Sequence, residues 1–541
     1  MPPENPTDID QEAAVPERAF VLGLDGVPWN LVEKWADEGH LPNFARLIEE
    51  GASGVLESTK PAHTALAWPS ISTGVWPDDH GLYGFQDLNS DYTHEMNVSD
   101  NVQRPRLWDH LEPSVVANVP MTYPASDIDG EMVTGMMTPR LDDGFTSPTS
   151  LGDEIAAEIP DYEIGLDWGE YADREGQFVA DLESLVDNRT ALLEKLQDRE
   201  DWRLFFFVFT APDRLQHLIW DEEVLLEWYQ VFDDVIGDVM EYAAELDAVL
   251  NVVSDHGFGP NETIVSAAAL LEREGYLERH ASSGVRGMLA ELGIDKENVL
   301  SKLDSVGVTE QMIVDYVPQA FVNVAALQVP GEHSLFDVDH ENTVAFTHGA
   351  GNLYVNDSAR FDAGIVDPED VPDIKMELRD LFEGLTDPET GEEVFSVFDG
   401  DAIFPRDERS PDLVIRGEGE YEVLTMLTDE VFVDATNKAA GHHEDGVYFA
   451  WGPSVEPGAE TRDATVVDVV PTLLHALGEP VPEYVDGRVL EEIFDADSAA
   501  ATRSVETAAA TVEHESTDDG TDDDEDMDEV EDRLRGLGYI E

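Results

Sequence analysis

Histidine and aspartate residues recur at the ends of apolar segments of this chain. The segment APDRLQH places Asp213 and His217 four residues apart, the spacing that brings two side chains to one face of a helical turn. The segment SDHG offers Asp255 and His256 directly after the apolar run LNVV. Imidazole and carboxylate suit zinc, with manganese or iron as alternatives. These four residues are therefore candidate metal ligands.

Two further segments add candidate ligands. GLDG carries Asp25 at the end of the apolar run AFVLGL, and GHHEDG offers the adjacent His442 and His443 before VYFAW. Each segment alone is weak evidence, because an Asp at the end of a strand caps a helix more often than it binds metal. Four such segments in one chain are much harder to obtain by chance. The chain has no Cys, which excludes disulfides, thiolate metal sites and a Cys nucleophile.

A threonine in the segment PAHTALAWPSISTG is a candidate nucleophile. We expect Thr64 to open a helix after a turn at Pro61. An alcohol at a helix N-terminus lies beside free backbone N–H groups, which suit the oxygens of a phosphate. A threonine that only caps the helix is the alternative interpretation, and the residues alone favour it.

The elements that would position these residues alternate along the chain. Strand-length apolar runs surround Val116, Phe206, Val252 and Tyr448. Helical patterns cover residues 31–48, 182–196, 224–246 and 466–477. This alternation predicts an α/β fold with a mostly parallel central sheet and helices on both faces. Sites in such sheets lie beyond the carboxyl ends of the strands, where the candidate ligands are expected.

Changes of pattern along the chain predict its domain organisation. We expect a disordered tail (1–17), the first part of a core (18–261), an inserted and mainly helical cap (262–344), the second part of the core (345–495), an acidic disordered linker (496–528) and a short amphipathic helix (529–541). The linker contains DDGTDDDEDMDE, which cannot offset the entropy of folding by burial. The last helix would dock through Val530, Leu534, Leu537 and Ile540.

The charge of the chain restricts its partners. Lys and Arg number 30 against 119 Asp and Glu, which gives a formal net charge of -89. Acid spread between apolar runs is typical of salt-adapted proteins, so we expect a halophilic source. The same charge disfavours nucleic acid and anionic membranes as partners. Because we find neither a signal peptide nor an apolar run long enough to span a membrane, we predict a cytoplasmic location.

The chain resembles the type I phosphodiesterase and nucleotide pyrophosphatase branch of the alkaline phosphatase superfamily, over roughly residues 18 to 495. The resemblance rests on GLDG, on the threonine segment running into STGVWPDDHGLYGF, and on NVPMTYPA, PDRLQHLIW, VSDHGF, GHHEDG and VVDVVPTLLHALGEPVPEYVDGRVL. It implies an alkaline phosphatase-like three-layer sandwich. It also implies a centre of two divalent metal ions, with zinc favoured over manganese or iron.

The resemblance assigns a role to each candidate residue. The nucleophile would be Thr64. The ligands of the metal ion that holds the nucleophile would be Asp25, Thr64, Asp255 and His256, and those of the other ion would be Asp213, His217 and His442. His442 is preferred to His443 because the ligand of the family lies four residues before the glycine that opens the next strand, here Gly446. Candidates for substrate contact are Lys60, Trp68 and His348.

The function that the resemblance implies is metal-dependent hydrolysis of phosphodiesters or phosphomonoesters through a phosphothreonine intermediate. The substrate would be a phosphorylated small molecule. One alternative is a transferase that passes a phosphoryl or phosphoglycerol group to an alcohol at the same site. Another is a non-catalytic module that binds a phosphorylated ligand. A sulfatase is disfavoured, because the sulfatase nucleophile is made from Cys or Ser.

Overall fold

The computed structural model describes residues 15–141, 144–166, 171, 174–280, 338–434, 440–509, 527, 530, 531 and 534. The predicted tail up to residue 14, residues 281–337 of the predicted cap and most of the predicted linker lie outside the described residues. None of the described helices has the length and apolar character needed to cross a membrane.

The described residues alternate between strands and helices. The strands are β1 (Ala19–Leu24), β2 (Ala52–Glu57), β3 (Gln86–Leu88), β4 (His94–Met96), β5 (Ser114–Ala117), β6 (Gly130–Val133), β7 (Thr146–Ser147), β8 (Leu204–Phe209), β9 (Val249–Val253), β10 (Gly257–Pro260), β11 (Thr263–Ser266), β12 (Ala345–His348), β13 (Asn352–Val355), β14 (Phe395–Asp399), β15 (Leu413–Gly417), β16 (Tyr421–Leu424), β17 (Phe432–Asp434), β18 (Ala440–His443), β19 (Asp445–Trp451), β20 (Ala459–Glu460), β21 (Ala464–Thr465), β22 (Val481–Pro482) and β23 (Thr507–Ala508).

Helices lie within each of the four ranges predicted to be helical, and the structure differs from the prediction in the first of them. The described helices are α1 (Trp29–Asp37), α2 (Pro42–Glu50), α3 (Thr64–Thr73), α4 (Pro77–His80), α5 (Leu107–His110), α6 (Thr149–Glu158), α7 (Glu175–Gln197), α8 (Ala211–Leu218), α9 (Glu222–Glu245), α10 (Ala267–Glu274), α11 (Val371–Glu383), α12 (Gly400–Ile403), α13 (Val469–Ala476) and α14 (Ala499–Thr502). The helix predicted over residues 31–48 is two helices. Gly39 has a φ of 79° and Pro42 begins α2, so the chain turns between them.

A ten-stranded sheet forms the centre of the molecule, in the order β20-β2-β19-β9-β1-β8-β5-β6-β7 with β21 also paired with β2. The neighbours β9, β1, β8, β5 and β6 all run parallel. Strand β19 runs antiparallel to both β2 and β9. The predicted mostly parallel sheet is confirmed.

Both faces of this main sheet are covered, as predicted. Alternate residues of β1 point to opposite faces. Phe20 and Leu22 belong to a core that includes side chains of α1, α2, α7 and α9. Ala19 and Val21 belong to a second core, which includes side chains of α3 and α13. The result is a helix–sheet–helix sandwich whose central strands are buried on both faces.

A smaller unit, formed by residues 263–280 and 338–434, lies between β9 and β19 of the main sheet in the chain. It contains the antiparallel sheet β12-β13-β15-β14 and the three-stranded sheet β16-β11-β17. Both sheets contribute to one apolar core with α10 and α11. The boundary predicted at residue 344 falls inside this unit, because β12 packs against α10. The helical content predicted for residues 281–337 stays a prediction.

A glycine in β1 allows a helix of the second core to approach the main sheet closely. A Cβ atom at Gly23 would overlap the indole of Trp68 and the side chain of Val208. We expect Gly23→Ala to lower the free energy of unfolding by about 1–3 kcal/mol through this overlap. Urea unfolding monitored by tryptophan fluorescence would measure the change. Gly176→Ala is the control, because a Cβ atom there meets nothing within 4 Å.

Candidate active site

The strands β1, β8 and β9 end together at one edge of the main sheet, and the residues that follow them include the first candidate ligands. Leu24 lies opposite Phe209 in the β1–β8 pair, and Gly23 lies opposite Val253 in the β1–β9 pair. The three strands therefore end at the same level. The residues that follow them, Asp25 after β1 and Asp255 after β9, are both fully buried.

Hydrogen bonds fix the orientation of these two carboxylates. The indole Nε1 of Trp68 donates to Asp25 Oδ2 at 3.1 Å. The backbone N–H of Gly26 donates to Asp255 Oδ1 at 3.2 Å. Asp25 Oδ1 and Asp255 Oδ2 are buried and accept no hydrogen bond from the described residues. Each carboxylate thus keeps one oxygen directed at the space between them and His256.

The third strand, β8, leads into α8, which carries the predicted pair Asp213 and His217. Their spacing does place them on one face, since His217 Nε2 lies 3.5 Å from Asp213 Oδ1. Pro212 lies in the first turn of α8, where a helix tolerates proline. Both side chains are buried.

Strand pairing separates the two adjacent histidines of GHHEDG. In the antiparallel pair of β10 and β18, His442 lies opposite Phe258 and His443 lies opposite Gly257. Successive side chains of a strand point to opposite faces, so only one of the two histidines faces the aspartates. His442 Nε2 lies 3.2 Å from Asp213 Oδ1 and 3.1 Å from His217 Nε2.

These side chains form two groups that could each hold a metal ion. In each group the ligand atoms lie within 4.8 Å of one another. The groups are Asp25, Asp255 and His256, and Asp213, His256 and His442. His256 belongs to both, so the groups are contiguous. His217 and His443 belong to neither, although His217 Nε2 lies 3.1 Å from His442 Nε2 and 3.5 Å from Asp213 Oδ1.

Thr64 is the first residue of α3, and its side chain reaches the ligand groups. Its Oγ1 lies 3.2 Å from His256 Nε2, and the residue is fully buried. The N-cap of α3 is His63, whose Nδ1 accepts a hydrogen bond from the backbone N–H of Ala65 at 3.2 Å. The interpretation of Thr64 as the capping residue is therefore wrong.

The expectation of free backbone N–H groups beside Thr64 is also wrong for the next three residues. The N–H of Ala65 is bound to the His63 ring, and those of Leu66 and Ala67 donate to His63 O at 3.0 and 2.9 Å. These amides cannot also bind a phosphate without breaking bonds that begin the helix. In this structure, these three amides are therefore not available as hydrogen-bond donors to a phosphate.

Burial and mutual repulsion raise the pKa of two of the three buried carboxyl groups. Burial raises the pKa of Asp25, and the charges of Asp255 and Asp213 raise it further. Burial also raises the pKa of Asp255. For Asp213, burial acts in the same direction, but His217 and His442 outweigh it and hold the pKa well below its usual value. A divalent cation would relieve the repulsion, so the donor set fits a metal.

The three residues predicted to contact substrate lie in different environments. Trp68 is fully buried in the second core and donates to Asp25, so here it orients a candidate ligand. Lys60 Nζ forms an ion pair with Glu57 at 2.5 Å. His348 ends β12 in the smaller unit, with its ring 6.3 Å from that of His94. Their contact with substrate stays a prediction.

Sequence reasoning missed two residues that support the site. The ring centroid of Phe258 lies 4.9 Å from that of His217 and 5.3 Å from that of His442, so it packs against both imidazoles. His63 caps α3. Its position directly before Thr64 is a usable signal, because a ring nitrogen can accept from the first turn of a helix. Phe258 ends the motif VSDHGF, but the motif alone does not show that its ring packs against the two histidines.

The fold occurs in known structures of low sequence identity. Phosphonoacetate hydrolase from Sinorhizobium meliloti 1021 in complex with phosphonoformate is 13% identical, with 87% of this chain and 98% of that chain covered and a TM-score of 0.54. Human ectonucleotide pyrophosphatase/phosphodiesterase 5 is 11% identical, with 85% and 95% covered and a TM-score of 0.47. The murine form is 14% identical, with 85% and 95% covered and a TM-score of 0.46. No curated protein matches the sequence.

The sequence itself matches a known family over most of its length. The family described as type I phosphodiesterase/nucleotide pyrophosphatase matches residues 19–448, a range that contains every candidate ligand and Thr64. The chain therefore belongs to the type I phosphodiesterase/nucleotide pyrophosphatase family and is a phosphoric ester hydrolase.

Proposed function

We propose that this enzyme hydrolyses phosphodiesters or phosphomonoesters of small molecules through a phosphothreonine intermediate on Thr64, at a centre of two divalent metal ions. One observation carries the proposal. Thr64 Oγ1 lies 3.2 Å from Nε2 of His256, the histidine that belongs to both ligand groups. The hydroxyl is thus held where the two groups meet.

The tautomer of His256 supports this arrangement. Its Nδ1 lies 3.0 Å from Gly257 O, and because a carbonyl oxygen can only accept, Nδ1 carries the proton. In the tautomer with its proton on Nδ1, His256 has the lone pair of Nε2 directed towards Thr64 Oγ1 and the oxygens of Asp25 and Asp255. A backbone carbonyl that fixes the ring in this way is a common feature of metal-binding histidines.

We assign the candidate ligands to two sites, with zinc as the favoured ion. The first site would use Asp25, Thr64, Asp255 and His256, and the second would use Asp213, His217 and His442. Divalent cations bound there would offset the buried negative charge, stabilise the charge of the phosphoryl oxygens and lower the pKa of the hydroxyl. The fixed carboxylates also restrict where the phosphoryl group can lie, which orients it for attack.

The chemistry at Thr64 would proceed in two displacements. Thr64 Oγ forms a bond to phosphorus while the bond to the departing alcohol breaks, and the alcohol leaves with a proton. Water then attacks the phosphothreonine, releases the phosphoryl product and restores the hydroxyl. Each in-line displacement inverts phosphorus, so the net result is retention of configuration. If an alcohol replaced water in the second step, the same site would act as a transferase.

The charge of the protein supports a salt-adapted enzyme. A net charge of -89 destabilises the compact state through self-repulsion unless counterions screen it. Ester hydrolysis should therefore be measured in multimolar KCl, which supplies the counterions that screen this charge. The predicted cytoplasmic location stays a prediction.

Removal of the Thr64 hydroxyl tests the nucleophile. We expect Thr64→Ala to lower kcat/KM for p-nitrophenyl phosphate and bis(p-nitrophenyl) phosphate by roughly 1,000-fold or more, because no other described hydroxyl is placed between the ligand groups. Thr73→Ala is the matched control, since Thr73 ends the same helix and its Oγ1 makes only local bonds, donating to Pro69 O at 2.7 Å and accepting from Val75 N–H at 3.4 Å. Full activity of Thr64→Ala would contradict the proposed intermediate.

The two adjacent histidines offer a matched test of the second site. We expect His442→Ala to lower kcat/KM roughly 100-fold or more and to reduce the bound metal, because it removes a ligand beside Asp213. His443→Ala should stay within about threefold of wild type, since successive side chains of β18 point to opposite faces and His443 therefore points away from the ligands. Steady-state kinetics and elemental analysis of the two variants measure both effects. Equal losses in both variants would refute the assignment of His442.

Metal removal tests the centre itself. Dialysis against a chelator should abolish hydrolysis, and zinc or manganese should restore it. Because ions that bind only the folded state stabilise it, the metal-free protein should also unfold at a lower temperature. Thermal unfolding by circular dichroism and the metal content per chain measure these effects. Full activity of a protein shown to be metal-free would exclude the proposed chemistry.

A further inference from the structure

A buried glutamine connects the elements that carry the two ligand groups. Gln216 is fully buried in α8, directly before His217 and three residues after Asp213. Its Nε2 donates to the backbone carbonyl of Gly26 at 2.8 Å, and Gly26 directly follows Asp25 in the chain. The contact therefore joins the helix that carries Asp213 and His217 to the turn that carries Asp25.

The turn after β1 passes this connection on to the loop after β9. The N–H of Gly26 donates to Asp255 Oδ1 at 3.2 Å, and the N–H of Val27 donates to Ser254 Oγ at 2.9 Å. Burial raises the pKa of Asp255, and the bond from Gly26 acts in the opposite direction, because it favours the ionised carboxylate. Gly26 thus accepts a hydrogen bond from α8 and donates one to a candidate metal ligand.

The side-chain amide of Gln216 is held at both ends. The hydroxyl of Tyr229, in α9, donates to Gln216 Oε1 at 3.1 Å. Because the carbonyl oxygen of Gly26 can only accept, the NH₂ group must face it, and Oε1 is left to accept from Tyr229. The ring of Tyr229 packs against Trp35 of α1, with centroids 5.0 Å apart. The donor of Gln216 is therefore anchored in the core that α1 and α9 share.

The turn after β1 lies in direct contact with Asp213. The φ of Gly26 is 71°, and a Cβ atom there would lie only 3.0 Å from Asp213 Cα and Cβ. This close approach also brings like charges together. Besides burial, the charges of Asp255 and Asp213 raise the pKa of Asp25. Their repulsion tends to push the turn away from α8, and the bond between Gln216 and Gly26 opposes that movement.

We propose that Gln216 is a positioning residue that holds the two ligand groups at the separation that the reaction requires. This role rests on the proposed function, because the separation matters only to a centre of two ions. The side-chain hydrogen bonds of Gln216 go to Gly26 and Tyr229, so it acts through Gly26 and not on the ester. Groups at a catalytic site must be held within roughly 0.5 Å of the productive geometry, so loss of this contact lowers the rate.

An apolar side chain of similar length at this position tests the role. Gln216→Met removes both hydrogen bonds and keeps an unbranched residue that suits a helix. In the metal-loaded chain, we expect kcat for bis(p-nitrophenyl) phosphate to fall roughly 10- to 100-fold, with a much smaller change in KM, as for other residues that orient metal ligands.

Asn251→Leu is the matched control for Gln216→Met. Asn251 is also a buried amide, and its Nδ2 donates to the hydroxyl of Tyr448 at 2.8 Å. It pairs with Val21 in the middle of the main sheet, away from the strand ends that carry the ligands. Asn251→Leu should therefore leave kcat within about threefold of wild type.

Electron paramagnetic resonance of the manganese-loaded chain reports the separation without hydrolysis. Two Mn²⁺ ions held close together give a coupled spectrum, whereas separate ions give the spectrum of isolated Mn²⁺. We expect coupling in the wild type and in Asn251→Leu, and weaker coupling in Gln216→Met at the same manganese content per chain. Thermal unfolding of the metal-free chains measures the purely structural effect, which should be similar in the two variants.

A milder variant keeps the test decisive if Gln216→Met does not fold. Tyr229→Phe removes only the hydroxyl that orients the amide, so kcat and the coupling should fall in the same direction but by less. Tyr448→Phe is its matched control, because it also removes a buried hydroxyl that is bonded to a side-chain amide.

The outcomes separate this role from the proposed function. Unchanged kcat or unchanged coupling in Gln216→Met, or equal losses in Asn251→Leu, would overturn the positioning role and leave the two-metal centre intact. In place of an unfolded Gln216→Met, the same results for Tyr229→Phe against Tyr448→Phe would overturn it. A wild-type chain that binds manganese without coupling would refute the two-metal centre, and the positioning role with it. If coupling is present but no ester is hydrolysed, the proposed hydrolysis fails, whereas the spectra still decide whether Gln216 sets the separation.

Discussion

Asp25, Asp213 and Asp255 place three fully buried carboxylates at one edge of the main sheet. Burying unpaired charges costs several kcal/mol per ion, and nearby like charges increase the cost. Among the described residues, no Lys or Arg forms an ion pair with Asp25 or Asp255, and the nearest basic atom is His256 Nε2, 3.7 Å from Asp25 Oδ1 and 3.3 Å from Asp255 Oδ2. The site is therefore organised for charge that is supplied by bound cations. The surrounding structure holds the carboxylates together despite their repulsion.

The main sheet supplies the rigidity that this arrangement requires. Its central parallel strands are buried on both faces, and their register brings three strand ends to one level. Trp68 links the sheet to the site, because its indole lies over Gly23 in β1 while its N–H orients Asp25. A core residue thus also positions a candidate ligand. Because Trp68 and Thr64 both belong to α3, the contacts of Trp68 with Gly23 and Asp25 also help to place Thr64.

The smaller unit and the described residues near the C-terminus lie outside the main sheet. The smaller unit has an apolar core of its own and contributes none of the seven assigned ligands, since β18 and His442 follow it in the chain. Val530 and Leu534, near the end of the chain, belong to one apolar cluster with Ala65 and Leu66 in the first turn of α3. Leu537 and Ile540, predicted to dock with them, lie outside the described residues. The candidate ligands are thus positioned by the main sheet and by the hairpin-like pair β10–β18, not by the smaller unit.

The sequence by itself determined the fold class and the kinds of ligand. The spacing of apolar residues that is typical of strands and of helices is a local pattern, so the strands and helices around the candidate residues could be predicted. The order of the motifs indicated the family. Only the tertiary structure decided which residues meet. Trp68 donates to Asp25, His63 rather than Thr64 caps α3, and Val530 belongs to the same apolar cluster as Ala65. These contacts depend on strand pairing and on packing between distant segments, which no local pattern encodes.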